Sequence, residues 1–194
     1  MTLKGSEKMD NYFEDPLIIY KKNFDSISSK KLKLISYGFN SQINIRCRNR
    51  NLSIFENELG LSFPKIVNSY SSYKNYQILC LSPDEWIVLA PLEEKEDLLS
   101  QIIKLNKVND FSITDVSFNR VTIGLSGDKS NDFLSSFVNT NKEDLVEGKF
   151  FQSTIAKVQV IIICLNQNNN YKIIVRSSFS RFLAEVFLDY VKYI

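Results

Sequence analysis

The stretch Val158–Val191 reads VQVIIICLNQNNNYKIIVRSSFSRFLAEVFLDYV, and its reading decides the fold. Val158 to Leu165 is an apolar run of strand length, too short to cross a membrane as a helix. Asn166-Gln167-Asn168-Asn169-Asn170 joins it to a second strand, Tyr171 to Val175. Asparagine accepts the positive φ that tight hairpins require. The period then changes from 2 to 3.6. Phe179, Phe182, Leu183, Val186, Phe187, Tyr190 and Val191 recur at i, i+3, i+4 and i+7, as on one face of a helix, with Ser177 or Ser178 as its cap. A hairpin followed by an amphipathic helix predicts a helix lying on one side of an antiparallel sheet.

Working outward, Gln152 to Ile155 is a strand, and Val121, Ile123 and Leu125 alternate with Arg120, Thr122 and Gly124 in another. Between them Ser126-Gly127-Asp128 opens a helix that carries Phe133, Leu134, Phe137 and Val138. The order is β-α-β-β-β-α. A similar unit precedes it. Gln42 to Arg48 is a half-buried strand with Ile43, Ile45 and Cys47 on its apolar face. Leu52 to Leu59 is a short helix ended by Gly60, suited to a left-handed cap. Tyr76 to Leu81 and Trp86 to Ala90 form a hairpin about Ser82-Pro83-Asp84-Glu85. Leu92 to Leu105 is a helix with Leu98, Leu99, Ile102 and Ile103 as its stripe, acidic at its start and basic at its end. Ser112 to Val116 is a strand. The predicted class is α+β, with two related lobes at 41–117 and 118–194, each a largely antiparallel sheet covered by helices. Residues 1–40 show no clear periodicity. They read either as an arm that orders on a partner or as a disordered tail.

The 194 residues suffice for one domain or two small fused lobes. Twenty-four basic against 22 acidic side chains leave a net charge of +2, which argues against a nucleic-acid partner. No membrane span is expected, and the polar segment Met1 to Glu14 does not read as a secretory signal. Three widely spaced cysteines, Cys47, Cys80 and Cys164, without a CxxC pair, fit buried reduced thiols and a cytoplasmic location. Histidine is absent from the chain. That removes the usual imidazole base of serine and cysteine hydrolases and the imidazole ligands of most catalytic zinc and iron sites. Gly124-Leu125-Ser126-Gly127 is neither a phosphate loop nor a dinucleotide fingerprint, and reads as a strand-to-helix turn. No catalytic, cofactor-binding or metal-ligating residue is therefore assigned.

Four residues are candidates for a subunit interface. Arg46, Arg48 and Arg50 share one strand face, as a row for an acidic partner or as a charge-blunted edge. Trp86, the single tryptophan, reads as an interface hot spot or as the core anchor of its hairpin. Asp115 and Arg120 are expected to pair across a bend.

Three segments in order resemble the sarcosine oxidase gamma-subunit family: Leu81-Ser82-Pro83-Asp84-Glu85-Trp86-Ile87-Val88-Leu89; Asp115-Val116-Ser117 through Arg120 with Leu125-Ser126-Gly127; and Ile174-Val175-Arg176-Ser177-Ser178-Phe179. The resemblance spans about Gln42 to Ile194. The second half, with Gly148 and Thr154, is also similar to the aminomethyltransferase (glycine-cleavage T-protein) fold. It departs at Ala156-Lys157-Val158-Gln159-Val160, which lacks the acid of folate chemistry, and at Phe118, where the gamma family often has histidine.

The resemblance implies a non-catalytic gamma subunit that scaffolds a heterotetrameric sarcosine oxidase. Such complexes convert sarcosine, tetrahydrofolate and O2 to glycine, methylene-tetrahydrofolate and H2O2. It further implies alpha, beta and delta partners that hold FAD, FMN, NAD, zinc and tetrahydrofolate, with none in this chain. An equivalent subunit of an N-methylglutamate or dimethylglycine oxidising complex, or a free-standing folate-binding protein of the T-protein type, fits the same residues.

Overall fold

The computed structural model describes residues 14–47, 52–105, 111–139, 145–166 and 169–193. Its strands are β1 (Lys33–Gly38), β2 (Ser41–Arg46), β3 (Tyr70–Tyr73), β4 (Tyr76–Ser82), β5 (Glu85–Ala90), β6 (Ser112–Asp115), β7 (Arg120–Ser126), β8 (Phe150–Ile155), β9 (Val158–Asn166) and β10 (Asn170–Arg176). Its α-helices are α1 (Lys21–Ile27), α2 (Leu52–Leu59), α3 (Lys95–Leu105), α4 (Ser130–Ser135) and α5 (Ser177–Val191). No helix among the described residues is long and apolar enough to cross a membrane.

Two antiparallel sheets form, in the orders β3-β4-β5-β2-β6 and β1-β7-β10-β9-β8. The fold is α+β, as the alternation predicts. The repeat is visible in the pairing. Each unit opens on one strand (β2 or β7), passes through a helix, and returns as a three-strand meander whose last strand pairs with the first. A fifth strand closes each sheet beside the opening one. In the first sheet that strand is β6, which follows in sequence. In the second it is β1, which pairs with β7 from Lys33↔Ser126 to Gly38↔Thr122.

That pairing corrects the reading of residues 1–40. Residues 1–13 lie outside the described residues. From Leu17 onward the segment is built into the second unit, with Leu17, Phe24, Leu32 and Leu34 buried in its core. The sequence hides this because β1, KLISYG, buries only Leu34 and Gly38 and so lacks a strong alternation.

The layers run helix, sheet, sheet, helix. Ile43, Ile45, Trp86 and Val88 face α2 and α3, where they meet Leu52, Leu98 and Ile102. Val121, Ile123, Ile173 and Val175 face α1, α4 and α5, where they meet Phe24, Phe133, Leu183 and Phe187. Between the sheets lies a third core of Leu79, Ile87 and Leu89 against Phe150, Ile161, Ile163 and Ile174. The two units are thus fused through a shared interior, and burial of these apolar faces is the main force holding them together. Lys172 crosses the seam and donates from Nζ to Gln77 Oε1 at 2.7 Å.

The turns follow their residues. Gly60 is left-handed after α2, and Asn169 takes positive φ in the β9–β10 connection. Ala156 and Lys157, both at positive φ, make the tight β8–β9 turn. The three cysteines are buried thiols, with no disulfide among the described residues. Three expectations change. Leu92–Glu94 is a 3-10 turn ahead of α3. The strand β3 was not foreseen. Ser177 is the first residue of α5, with Arg176 at the cap position and no side-chain cap.

Candidate functional site

Of the interface residues read from the sequence, Arg46 and Trp86 are described, on the neighbouring strands β2 and β5. Arg46 is exposed on β2, but its Nη2 donates to Glu85 Oε2 at 2.9 Å within the same hairpin stack. Arg48 and Arg50 lie outside the described residues. Trp86 is fully buried, which rules out a surface role in the folded chain. It sits on the helix-facing side of β5, edge-on to Phe63, and its Nε1 donates to the Pro64 carbonyl at 2.8 Å. Its indole is a core anchor that ties the 61–65 segment to the sheet.

Asp115 does not pair with Arg120. Its Oδ1 accepts from the Ser117 amide at 3.0 Å and the Ser117 hydroxyl at 2.5 Å. Ser117 Oγ in turn accepts the Gln42 amide at 3.0 Å. Asp115-Val116-Ser117 therefore splices the end of β6 onto β2. The partner of Asp115 in charge is Lys95, at 3.8 Å.

Arg120 instead faces Arg176. The two are register partners on β7 and β10, so both project to the face turned toward the other sheet. They line a cleft of about 370 Å³ with Leu81, Thr154, Ile161 and Ile174. Glu85 lies close enough for its charge to act on Arg120. All three sequence segments singled out above thus end at one place: Leu81 and Glu85 from the first, Arg120 from the second, Arg176 from the third. The backbone supports the junction, since the Ser177 amide donates to the Asn119 carbonyl at 2.9 Å. Burial first, then the neighbouring Arg176 charge, pull the Arg120 guanidinium below its ordinary pKa, with Glu85 opposing.

Sequence reasoning missed this pair. Its signal was present, because both arginines stand at strand ends, in phase with inward residues. Only the register across β7 and β10 reveals them as neighbours.

Helix α5 also presents its apolar residues differently from the simple stripe. Ser180, Leu183, Ala184 and Phe187 face the core. Phe179 and Phe182 are about half exposed, at 49% and 47%. They form an aromatic ridge on the outer side of the helix. Ile18 and Ile19 are exposed beyond its other flank, where Arg181 Nε donates to the Pro16 carbonyl at 3.1 Å. Among the described residues no group of three or more acidic or thiol side chains is placed to hold a metal ion.

The same fold is found in solved structures, an aminomethyltransferase among them. Chain for chain, 87% of this protein overlays the glycine cleavage aminomethyltransferase of Bartonella henselae at a TM-score of 0.65 and 13% identity. It spans about half of that protein, covering 48% of its length. A chain of the heterotetrameric sarcosine oxidase from Corynebacterium sp. U-96, solved with pyrrole 2-carboxylate, matches with a TM-score of 0.83 at 16% identity. That overlay covers 93% of this chain and 95% of the other. No curated protein matches by sequence alone. The model of the sarcosine oxidase gamma subunit family matches residues 52–191, and the chain belongs to that family.

Proposed function

We propose that this protein is the non-catalytic gamma subunit of a heterotetrameric oxidase acting on sarcosine, and that it scaffolds the large subunits. Family membership over residues 52–191 carries the reading. The expected partners are the alpha, beta and delta subunits, in the cytoplasm. FAD, FMN, NAD, zinc and tetrahydrofolate are expected to sit in those partners and not in this chain. The half-exposed Phe179 and Phe182 support a docking role, because a paired aromatic ridge on a surface helix is a common anchor for a partner.

Co-expression with candidate alpha, beta and delta chains tests the assignment. The expected result is a stable complex that retains this chain through size exclusion and turns over sarcosine, while the chain alone is colourless and inactive. Sarcosine turnover or bound flavin in the chain alone would overturn it, as would a fully active complex lacking it. The T-protein-like fold favours one rival, a free-standing folate protein. Tetrahydrofolate titration of the isolated chain separates the two, since the scaffold reading expects no binding.

A further inference from the structure

Arg120 and Arg176 stand directly opposite each other on β7 and β10. Like charges at such positions destabilise a sheet. The acid whose charge reaches Arg120 is Glu85, and its carboxylate is already engaged. Oε2 accepts from Arg46 at 2.9 Å, and Oε1 accepts from Asn44 at 2.7 Å. Among the described residues neither Arg120 nor Arg176 makes a side-chain hydrogen bond or ion pair. Arg120 is also half-buried. A guanidinium stays protonated even when desolvated, so this end of the seam holds two adjacent positive charges without a matching anion. Helix α5 starts immediately after Arg176 without a side-chain cap, and its positive end adds potential of the same sign.

We propose that the cleft between the two sheets is a carboxylate-binding site in which Arg120 and Arg176 form the clamp. Its volume, about 370 Å³, suits a small group. Planar guanidinium groups match a carboxylate in two-point hydrogen bonding. Ile161 and Ile174 give the cleft an apolar floor, and Thr154 offers a hydroxyl on its wall. That lining favours a carboxylate attached to an apolar body over inorganic phosphate. Such a group comes either from a free organic acid or from an acidic side chain of a partner subunit. The first arm of the test does not depend on the subunit role proposed above.

In that arm benzoate, benzamide and inorganic phosphate are titrated into the full chain, and the arginine Nε–Hε resonances are followed by NMR. Benzoate is expected to shift the Arg120 and Arg176 signals saturably, while neutral benzamide leaves them unmoved. Benzoate should also bind at least tenfold more tightly than phosphate. The exposed Arg176 is replaced first, as Arg176→Leu, with a loss of at least tenfold in benzoate affinity. Arg120→Lys keeps the charge and removes the fork, and is expected to weaken binding by a similar factor in a chain that still folds. In the second arm the same titration is run on the co-expressed complex. Retained benzoate binding identifies a free acid as the natural ligand. Loss of binding, with assembly at least tenfold weaker in Arg176→Glu, identifies a partner carboxylate. The site is refuted if benzoate moves neither arginine signal in the free chain, if benzamide or phosphate moves them equally, or if Arg176→Leu and Arg120→Lys both bind benzoate unchanged.

Discussion

Replacing Trp86 by phenylalanine separates a core role from an interface role, because the structure assigns it entirely to the core. The indole is fully buried and donates to the Pro64 carbonyl at 2.8 Å. Phenylalanine keeps an aromatic ring against Phe63 but deletes the donor. The part-buried Pro64 carbonyl then lacks its partner, which costs about 1–3 kcal/mol. The smaller ring leaves roughly 40 Å³ unfilled, which at about 24 cal/mol per Å³ adds about 1 kcal/mol. Together Trp86→Phe is expected to remove about 2–4 kcal/mol of stability. With a urea slope of about 2 kcal/mol/M, the unfolding midpoint falls by about 1–2 M. Far-UV circular dichroism of the isolated chain reads this directly, and it is the right probe because the substitution removes the single tryptophan. An unchanged midpoint together with weakened subunit assembly would show that Trp86 acts at a surface and that the core assignment is wrong.

Phe182→Ser is expected to cost only about 1 kcal/mol, because half of the ring is already in water, yet to weaken co-purification with partner subunits. Phe187→Ser, five residues further along and fully buried, should instead cost at least about 3 kcal/mol in urea unfolding. Gly127→Ala is expected to be among the most damaging small substitutions. Gly127 has φ +112, and a Cβ there would stand 2.6 Å from the Lys31 carbonyl oxygen. A loss of about 2 kcal/mol or more should appear in thermal unfolding, and a wild-type melting point would refute the close approach. Tyr76, beside Glu94, and the buried Tyr171 are both pushed up to about 12 from 10.0. Their neutral forms are favoured in the fold, so the stability they contribute is present below pH 10 and lost as pH rises from 10 through 12. Burial likewise pushes the Cys47 thiol up from 9.0 to about 11, so urea midpoints measured between pH 8 and 11.5 should begin to fall from about pH 9, and above pH 10 fall less steeply in Tyr76→Phe.

The repeating strands and helices were legible because their burial follows simple periods. β2, β7, β9 and β10 each carry an unbroken or alternating apolar pattern, and α3 shows its stripe and polarised ends. β1 and β3 were not legible, since KLISYG and YSSY are largely polar edge strands whose identity comes from backbone pairing with β7 and β4. The half-exposure of Phe179 and Phe182 was hidden for a related reason. Period alone lets seven apolar residues share a face, but the sheet beneath α5 accepts the narrower set centred on Leu183 and Phe187. The Arg120 and Arg176 pair lies 56 positions apart in sequence (176 − 120) and exists only through register. The expected Asp115–Arg120 contact failed because the local hydrogen bonds of Asp115 to Ser117 are satisfied first.

The placement of β1 has a consequence for synthesis. Its partner β7 ends at Ser126, roughly 90 residues after Gly38 leaves the ribosome. At roughly 5–20 residues per second, the nascent chain carries an unpaired strand for about 4–18 s before its docking edge is made. The first sheet, with β2 to β6 contiguous, closes during that interval. The second sheet is therefore assembled around a strand that waits, and the exposed backbone of Lys33–Gly38 is the part of the newborn protein most open to pairing with the wrong neighbour. Lys30, Lys31 and Lys33 stand at its start, where their charge discourages such pairing until β7 arrives.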